Sequence, residues 1–576
     1  MFLKSAVKPG AECWLESFLR PGSYHDHPEP GPASRRRKCQ TKDGRRACVH
    51  CEERGIPCVQ GPPEGGYYDQ RAQQRSQVTS QALTPEGGST SASSHHHGDG
   101  FSPEVVEPEP QATLPGLAMR LDLVRLYFDY IHDQFHSLFH RPSFIEDALQ
   151  DRVPHSILFG MFALSARFST DPYFADVDPR DRATGYLRAA EKLLDLRDIS
   201  LTTIQLCVLI GSGETAAGQA EVENIYYGVA CRMAQLLDLP NRPASNLLES
   251  EINLRVWWSL SMIDVWSSTA VKLPKLLPNR TDISLPMDDL SYLALSPEGL
   301  ASARTSAFSH GSQLLAQMIK VNRILLEINN FNQRCVTENP TWETLSHGVD
   351  VLTARLDDWV ANLPPNMHDT PENFAWFASR GLGRIFAAVY LGYYHFGQLL
   401  YYQFLHGAAI DAPLSPEDSR GTMATESPSA MRRQEYAQRT KEHAGRLCEM
   451  VYRSQATAGA DVRYTMTSHV LVIASTVQIH TLLFSGDEDD IGVARSRLER
   501  NFELLLRLQC YWPTVDRAIS RLRAFHATAR TSVDSSFVLD RWMLRFMVEF
   551  AESMEEKEAE AWRGGSEEME ALWSRQ

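Results

Sequence analysis

The sequence predicts an all-α fold, a large helical domain preceded by a small cysteine-rich module and a disordered linker. Three observations carry this. From Leu114 onward apolar residues recur at helical spacing with almost no strand-type alternation. Prolines such as Pro142, Pro154, Pro172 and Pro240 fall between the periodic segments, where they end helices cheaply. The composition, 43% hydrophobic and 22% charged over 576 residues, is that of an ordinary globular chain able to bury a large core, which excludes a collagen-like, disulfide-scaffold or wholly disordered protein.

Taken in chain order, residues 1–34 are rich in Pro, Gly and Glu and read as a disordered leader. Lys4, Lys8, Glu12 and Glu16 break any apolar run there, so no secretory signal is expected and the thiols should stay reduced. Residues 35–60 hold the cysteine-rich module. Residues 61–113 are a Gly, Pro, Ser, Gln and His linker that cannot bury enough apolar area to offset its ordering entropy. The helical domain, 114–410, opens with Leu121, Val124, Leu126, Phe128 and Ile131 and continues through periodic segments at 157–168, 203–210, 226–237 and 252–266. Residues 385–407 lack a charged side chain and are long enough to cross a bilayer, but His395, Gln398, Gln403 and five tyrosines favour a buried helix and no membrane. A flexible Pro/Ser/Glu insertion at 411–431 is followed by helices at 432–560 and an acidic tail at 561–576. The glutamates from Glu549 onward, interspersed with Phe550, Met554 and Trp562, suit either an activation segment or a solvated helix end.

The net charge of −15 argues against nucleic acid unless positive charge is concentrated in one place. Between residues 35 and 58 it is, with eight cations against three anions. Four of the ten cysteines share that segment, and Cys48-x2-Cys51 has the spacing that places two thiolates on one tetrahedral zinc. With Cys39 and Cys58 the run is C-x8-C-x2-C-x6-C, directly preceded by Arg35, Arg36, Arg37 and Lys38.

This arrangement resembles the fungal zinc binuclear cluster family, whose six cysteines follow C-x2-C-x6-C-x(5 to 12)-C-x2-C-x(6 to 8)-C. Cys39, Cys48, Cys51 and Cys58 match the third to sixth; the positions of the first two hold Glu29 and Pro32. In the family the first and fourth cysteines bridge two zinc ions, so the four present imply one zinc at most. Three readings stay open: a different 5′ exon supplies the missing pair, the module is degenerate, or a single-zinc site is rebuilt from the four cysteines or with His25 and His27. The basic run would also serve as a nuclear localisation signal without any zinc. If the module folds, the resemblance implies that Arg35 and Arg36 meet base edges of promoter DNA while Arg37, Lys38, Lys42, Arg45 and Arg46 neutralise phosphates. Family members commonly dimerise through a coiled coil after the cluster, but residues 67–83 carry no a/d apolar seam, which leaves a homodimer open.

Further on, Tyr127-Phe128-x3-His132 with Leu138-Phe139-His140-Arg141-Pro142-Ser143-Phe144 looks like the opening of the fungal transcription-factor regulatory domain, the middle homology region. Gly228-x-Ala230-x-Arg232-Met233-Ala234, then Glu251-x3-Arg255-Val256-Trp257-Trp258 and Ile263-Asp264, continue the likeness over roughly residues 115–405. Where the family often has Gly-Arg-Pro, Val271-Lys272-Leu273-Pro274 stands instead. The resemblance implies a nuclear regulator of RNA polymerase II transcription that binds promoter DNA, governs a metabolic or secondary-metabolite gene set, and engages the transcription machinery or co-regulators. The alternative is a DNA-binding-deficient regulator acting through protein partners.

Arg232, Arg255 and Asp264 stand on otherwise apolar helices and are expected in structural ion pairs. His132, His136 and His140 recur at a spacing that could serve a metal, but with Pro142 ending their helix they are read as core and capping groups. Gly211-x-Gly213-x4-Gly218 has no preceding strand and no Lys-Ser/Thr end, so it is read as a turn between helices. The aromatic series Trp376, Phe377, Phe386, Tyr390, Tyr393, Tyr394, Tyr401 and Phe404 forms either a packed core or the lining of a pocket for a small-molecule effector. No nucleophile, acid/base pair or cofactor loop stands in convincing context, so no catalytic residue and no enzyme is expected.

Overall fold

A computed structural model of the chain describes residues 113–296, 313–406, 427–531, 536–555 and 557. Among them there are seventeen α-helices and no strand. The first eight are α1 (Leu117–Tyr130), α2 (Arg141–Leu149), α3 (His155–Ser165), α4 (Thr184–Lys192), α5 (Leu201–Ala217), α6 (Ala220–Leu236), α7 (Leu247–Ala270) and α8 (Asp289–Leu293). Then come α9 (Leu314–Glu338), α10 (Trp342–Ala361), α11 (Pro371–Ala378), α12 (Gly383–Tyr401), α13 (Pro428–Ala456), α14 (Met466–Phe484), α15 (Glu488–Gln509), α16 (Thr514–Thr531) and α17 (Arg541–Val548).

The helix starts follow from side-chain capping. Ser200, Asn246, Thr341, Thr370, Ser427 and Asp540 each accept a backbone N–H of the first turn of α5, α7, α10, α11, α13 and α17. Ser427, followed by Pro428 in the first turn, starts α13 inside the stretch expected as a flexible insertion, so 428–431 are helical. Pro142 likewise lies in the first turn of α2, and the residues before it are a turn rather than a helix. The expectation that Pro142 ends a histidine-bearing helix is therefore corrected: the missing proline N–H costs nothing in a first turn.

Packing is centred on α12 and α14. The α12 helix, buried along nearly its whole length, lies against α9, α10 and α13. Burial inside protein accounts for the uncharged stretch that begins at Ile385, after Arg384 in the first turn. Among the described residues one helix, α14, is long and apolar enough to cross a membrane by composition, and 83% of its apolar window is buried inside the fold. Helices α5 and α6 form a tight antiparallel hairpin around Gly218, which takes the left-handed φ of +81° that favours glycine.

Gly211 and Gly213, read from sequence as part of that turn, lie inside α5 instead. A Cβ on Gly211 would come within 2.5 Å of the Tyr227 ring, and one on Gly213 within 2.8 Å of Leu187. The glycines set how closely neighbouring helices approach, a requirement that local sequence does not reveal.

Candidate functional site

The residues expected to hold zinc and DNA, Cys39, Cys48, Cys51 and Cys58 with Arg35, Arg36, Arg37, Lys38, Lys42, Arg45 and Arg46, lie outside the described residues, as does the acidic tail at 561–576. Among the described residues no group of three or more His, Cys, Asp or Glu is placed to hold a metal ion, and Cys207, Cys231, Cys335, Cys448 and Cys510 are free thiols.

The Glu251-x3-Arg255 motif forms the centre of a buried charge network. Arg255 Nε donates to Glu251 Oε1 at 2.9 Å one turn earlier, and its Nη1 donates to Asp289 Oδ1 at 3.0 Å on α8. Nη2 reaches the Met287 carbonyl at 3.0 Å, and the guanidinium lies 3.9 Å from the centre of the Tyr292 ring. All three charged side chains are almost wholly buried. Burial opposes the Arg255 charge, but Asp289, Tyr292 and Glu251 outweigh it and hold the guanidinium above its ordinary value. Burial lifts the Asp289 carboxyl to about 6, with Arg255 pulling the other way. Its second oxygen accepts the Leu314 and Leu315 N–H groups, so one carboxylate fixes both α7 and the start of α9. The ion pair expected for Arg255 is present, with Asp289 as a partner the sequence did not announce.

The other expectations divide. Asp264 accepts the Leu276 and Leu277 N–H groups at 2.7–3.0 Å, with Lys275 Nζ at 3.9 Å, so it serves mainly to hold the chain after α7. Arg232 is exposed and hydrogen-bonds Gln235, which corrects the buried ion pair expected of it. His140 is the N-cap of α2, and His132 Nε2 accepts the Leu138 and Phe139 N–H groups at 3.0 and 3.1 Å. His136 sits 3.1 Å from the Tyr127 hydroxyl. Burial pulls the His136 imidazole down to about 3, and burial does the same to His395, His443 and His480.

Two buried arginines escaped the sequence reading. Arg167 donates to the carbonyls of Leu164, Ala163 and Tyr511 and lies 4.2 Å from the Trp512 ring centre, which ties the end of α3 to the segment before α16. Arg521 donates to the carbonyls of Arg545, Phe546, Glu549 and Glu552, closing the C-terminus of α17. For Arg167 a lone arginine in an apolar run, Ala166-Arg167-Phe168, was the available signal, while Arg521 stands between Arg517 and Arg523 and carries no such signal. Glu549, expected at the start of an acidic surface segment, is instead buried and paired with Lys272 and Arg545.

Two cavities open beside these networks. One, a small cavity of about 30 Å³, brings together Glu223, His469, Arg517 and Arg521. Burial lifts Glu223 to about 8 against hydrogen bonds from Thr215 and Ser267, so its carboxyl is mainly neutral near pH 7. The second, a crevice of about 80 Å³ that is partly open to solvent, lies where α7, α9, α12 and the start of α14 meet. The aromatic series on α11 and α12 does not line it. Phe377, Phe386, Tyr390, Tyr401 and Phe404 are buried, with Phe386 5.1 Å from Phe377 and 5.0 Å from Tyr390 between ring centres. The pocket face of α12 carries Ala388, Leu391, Gly392 and Phe396 instead.

Residues 124–361 match the family described as fungal specific transcription factor domain, in agreement with the likeness carried by the motifs from Tyr127 to Asp264. The chain is similar to an uncharacterized transcriptional regulatory protein of Schizosaccharomyces pombe, 32% identical over 207 residues, covering 33% of this chain and 21% of the relative. A second such protein of that yeast is 22% identical over 460 residues, 73% of this chain and 54% of the relative. A Zn(2)-C6 fungal-type transcription factor of Fusarium oxysporum f. sp. lycopersici is 22% identical over 450 residues, 71% of this chain and 39% of the relative. The chain thus spans about half or less of the length of these curated relatives. No solved structure matches it.

Proposed function

Because residues 124–361 form a fungal specific transcription factor domain, we propose that the chain is a nuclear regulator of RNA polymerase II transcription that binds promoter DNA through residues 35–58. The single observation that carries DNA binding is the eight cations packed around four cysteines in a chain whose net charge is −15. Arg35 and Arg36 meet base edges, and Arg37, Lys38, Lys42, Arg45 and Arg46 neutralise phosphates. Four thiolates suit one tetrahedral zinc, which would stiffen the segment when bound; they cannot close the two tetrahedra of a six-cysteine cluster. The helical region governs this grip and engages co-regulators or the transcription machinery. The targets are a metabolic or secondary-metabolite gene set.

Glu29 and Pro32, standing where two thiolates belong, favour a second reading: a regulator deficient in DNA binding that reaches promoters through protein partners. Mapping chromatin occupancy of the tagged full chain tests both. Promoter enrichment that loses its sequence preference when Arg35 and Arg36 become alanine, while Lys42→Ala weakens all sites alike, supports direct binding. Enrichment that ignores all three substitutions supports recruitment through partners, and a chain held outside the nucleus overturns both. Metal analysis of the purified chain should find at most one tightly bound zinc; two would refute the ligand count.

A further inference from the structure

We infer that the crevice between α7, α9, α12 and α14 is a binding site for a small, uncharged, largely apolar organic molecule. This deepens the reading of the helical region as the governing part of a transcriptional regulator, and it rests on that reading only for its consequence, not for binding itself.

The first observation is the lining. Met262, Met318 and Met466 surround the crevice together with Phe135, Trp266 and Phe396. Thioethers and ring faces accept apolar ligands of varied outline, since methionine adapts its three torsions and aromatic rings offer broad rigid contact. Among the described residues the polar lining is Gln134, Asn322, Thr467 and Tyr464, and no Asp, Glu, Lys, Arg or His lines the crevice. A charged ligand would be stripped of water there without gaining a partner, whereas a neutral molecule with one or two hydrogen-bonding groups would not. The cavity lined by Glu223, His469, Arg517 and Arg521 differs in this respect, since it brings titratable side chains together in the same fold.

The second observation is that the walls are set. Asn322 Oδ1 accepts Trp266 Nε1–H at 2.8 Å, and its Nδ2 donates to the Met318 carbonyl at 2.9 Å, which locks the indole across one side. Phe135 stacks on Tyr464 with ring centres 5.8 Å apart and meets Trp266 edge-on at 6.3 Å. The crevice is therefore bounded by rings held in place, a preformed site of the kind that binds small molecules.

The third is Gly392. Several helical glycines in this fold permit close packing, with a Cβ falling within 2.3 Å of Phe331 at Gly348 and within 2.3 Å of His443 at Gly397, whereas Gly228 and Gly492 would meet no tight contact. At Gly392 the nearest atom to a Cβ is on Phe396 at 3.6 Å, an ordinary contact. Helix α12 thus gives up side-chain volume at Gly392 without a neighbour taking it, and the space left belongs to the crevice.

The test uses the purified full chain and two dyes that differ by one charged group: neutral N-phenyl-1-naphthylamine and its sulfonated, anionic relative 1-anilinonaphthalene-8-sulfonate. Saturable binding of one neutral dye per chain, at least about tenfold tighter than the anion, is expected, together with a tenfold or greater loss in Gly392→Leu, whose side chain occupies the crevice. Gly392→Ala adds only a methyl that meets Phe396 and should raise Kd about threefold, so the proposal stays testable if the leucine variant does not fold. Equal binding of both dyes, no saturation, or unchanged affinity in a folded Gly392→Leu overturns the site. Promoter occupancy is measured in parallel on the unmodified chain. Loss of dye binding with occupancy intact sinks the crevice alone, and dye binding without nuclear occupancy sinks the regulator reading alone.

Discussion

Arg255 and Arg521 bury the same guanidinium in one helical fold and stabilise it in opposite ways. Around Arg255 the charge is met by two carboxylates and an aromatic face, and the group is held above its ordinary value. Around Arg521 it is met by four backbone carbonyls at the end of α17, and burial lowers it to about 10. Arg167 follows the second pattern, with three carbonyls and a value lowered by burial to about 9. An ion pair keeps charge balanced and makes each member depend on the other. A carbonyl cage uses dipoles the helix end must satisfy anyway, so the cation closes a terminus and joins two elements at once.

The difference is exposed most strongly by removing the cation. Arg255→Met should cost about 3–5 kcal/mol in denaturant unfolding at pH 7, because Glu251 and Asp289 are left buried and unpaired. The penalty should shrink toward pH 5. In the variant both carboxyls titrate above their unfolded values, so folding favours their protonated forms; that advantage is present at low pH and lost as pH rises through the folded values. A penalty independent of pH would break the contrast.

Arg521→Met should cost less, about 2–3 kcal/mol, with little change between pH 5 and pH 8, since the orphaned carbonyls carry no titratable proton. The same unfolding series decides this, and a loss as large and as pH-dependent as that of Arg255→Met would erase the distinction.

Glu223 tests burial of a carboxyl with hydroxyl partners and no ion pair. Its folded value near 8 lies above the ordinary 4.5, so its contribution is complete below pH 4.5 and lost as pH rises through 8. Glu223→Gln keeps a neutral hydrogen-bonding group and should gain stability relative to the parent by about 3 kcal/mol between pH 5 and pH 8. No growth of that gain with pH would show that the carboxylate is already accommodated.

The smallest effect belongs to Arg232. Exposed and bonded to Gln235, it should tolerate alanine within about 0.5 kcal/mol, measured as a shift in Tm; a larger loss would restore the ion-pair role first expected of it.

The same contrast marks what could be read before the fold was known. Glu251-x3-Arg255 is one helical turn, so half of the Arg255 network was visible as a spacing. Asp289 stands 34 residues on, at the start of a five-residue helix, and no local pattern pairs it with Arg255. Arg167 and Arg521 bind carbonyls, which every residue carries, so no partner side chain announces them. The histidines at 132, 136 and 140 kept their every-fourth spacing but lost their helix, because His140 and Pro142 make a helix start rather than a stop. Of the two readings of the aromatic series, the packed core is what the rings form; rings that pack on one another leave no pocket, and the crevice formed against Gly392 on another face of α12.

The sequence by itself determined the helical class, the helical segments that became α1, α3, α5, α6, α7 and α12, the cation-rich cysteine segment at 35–58 and the family of the region behind it, because periodicity, local charge and motif spacing are properties of neighbours along the chain. Tertiary structure alone decided which charges meet, which glycines admit a ring and which leave a void, and where space for a ligand opens. Those outcomes depend on volumes and lone pairs supplied by residues tens to hundreds of positions away, such as Tyr511 beside Arg167, and chain proximity carries no record of them.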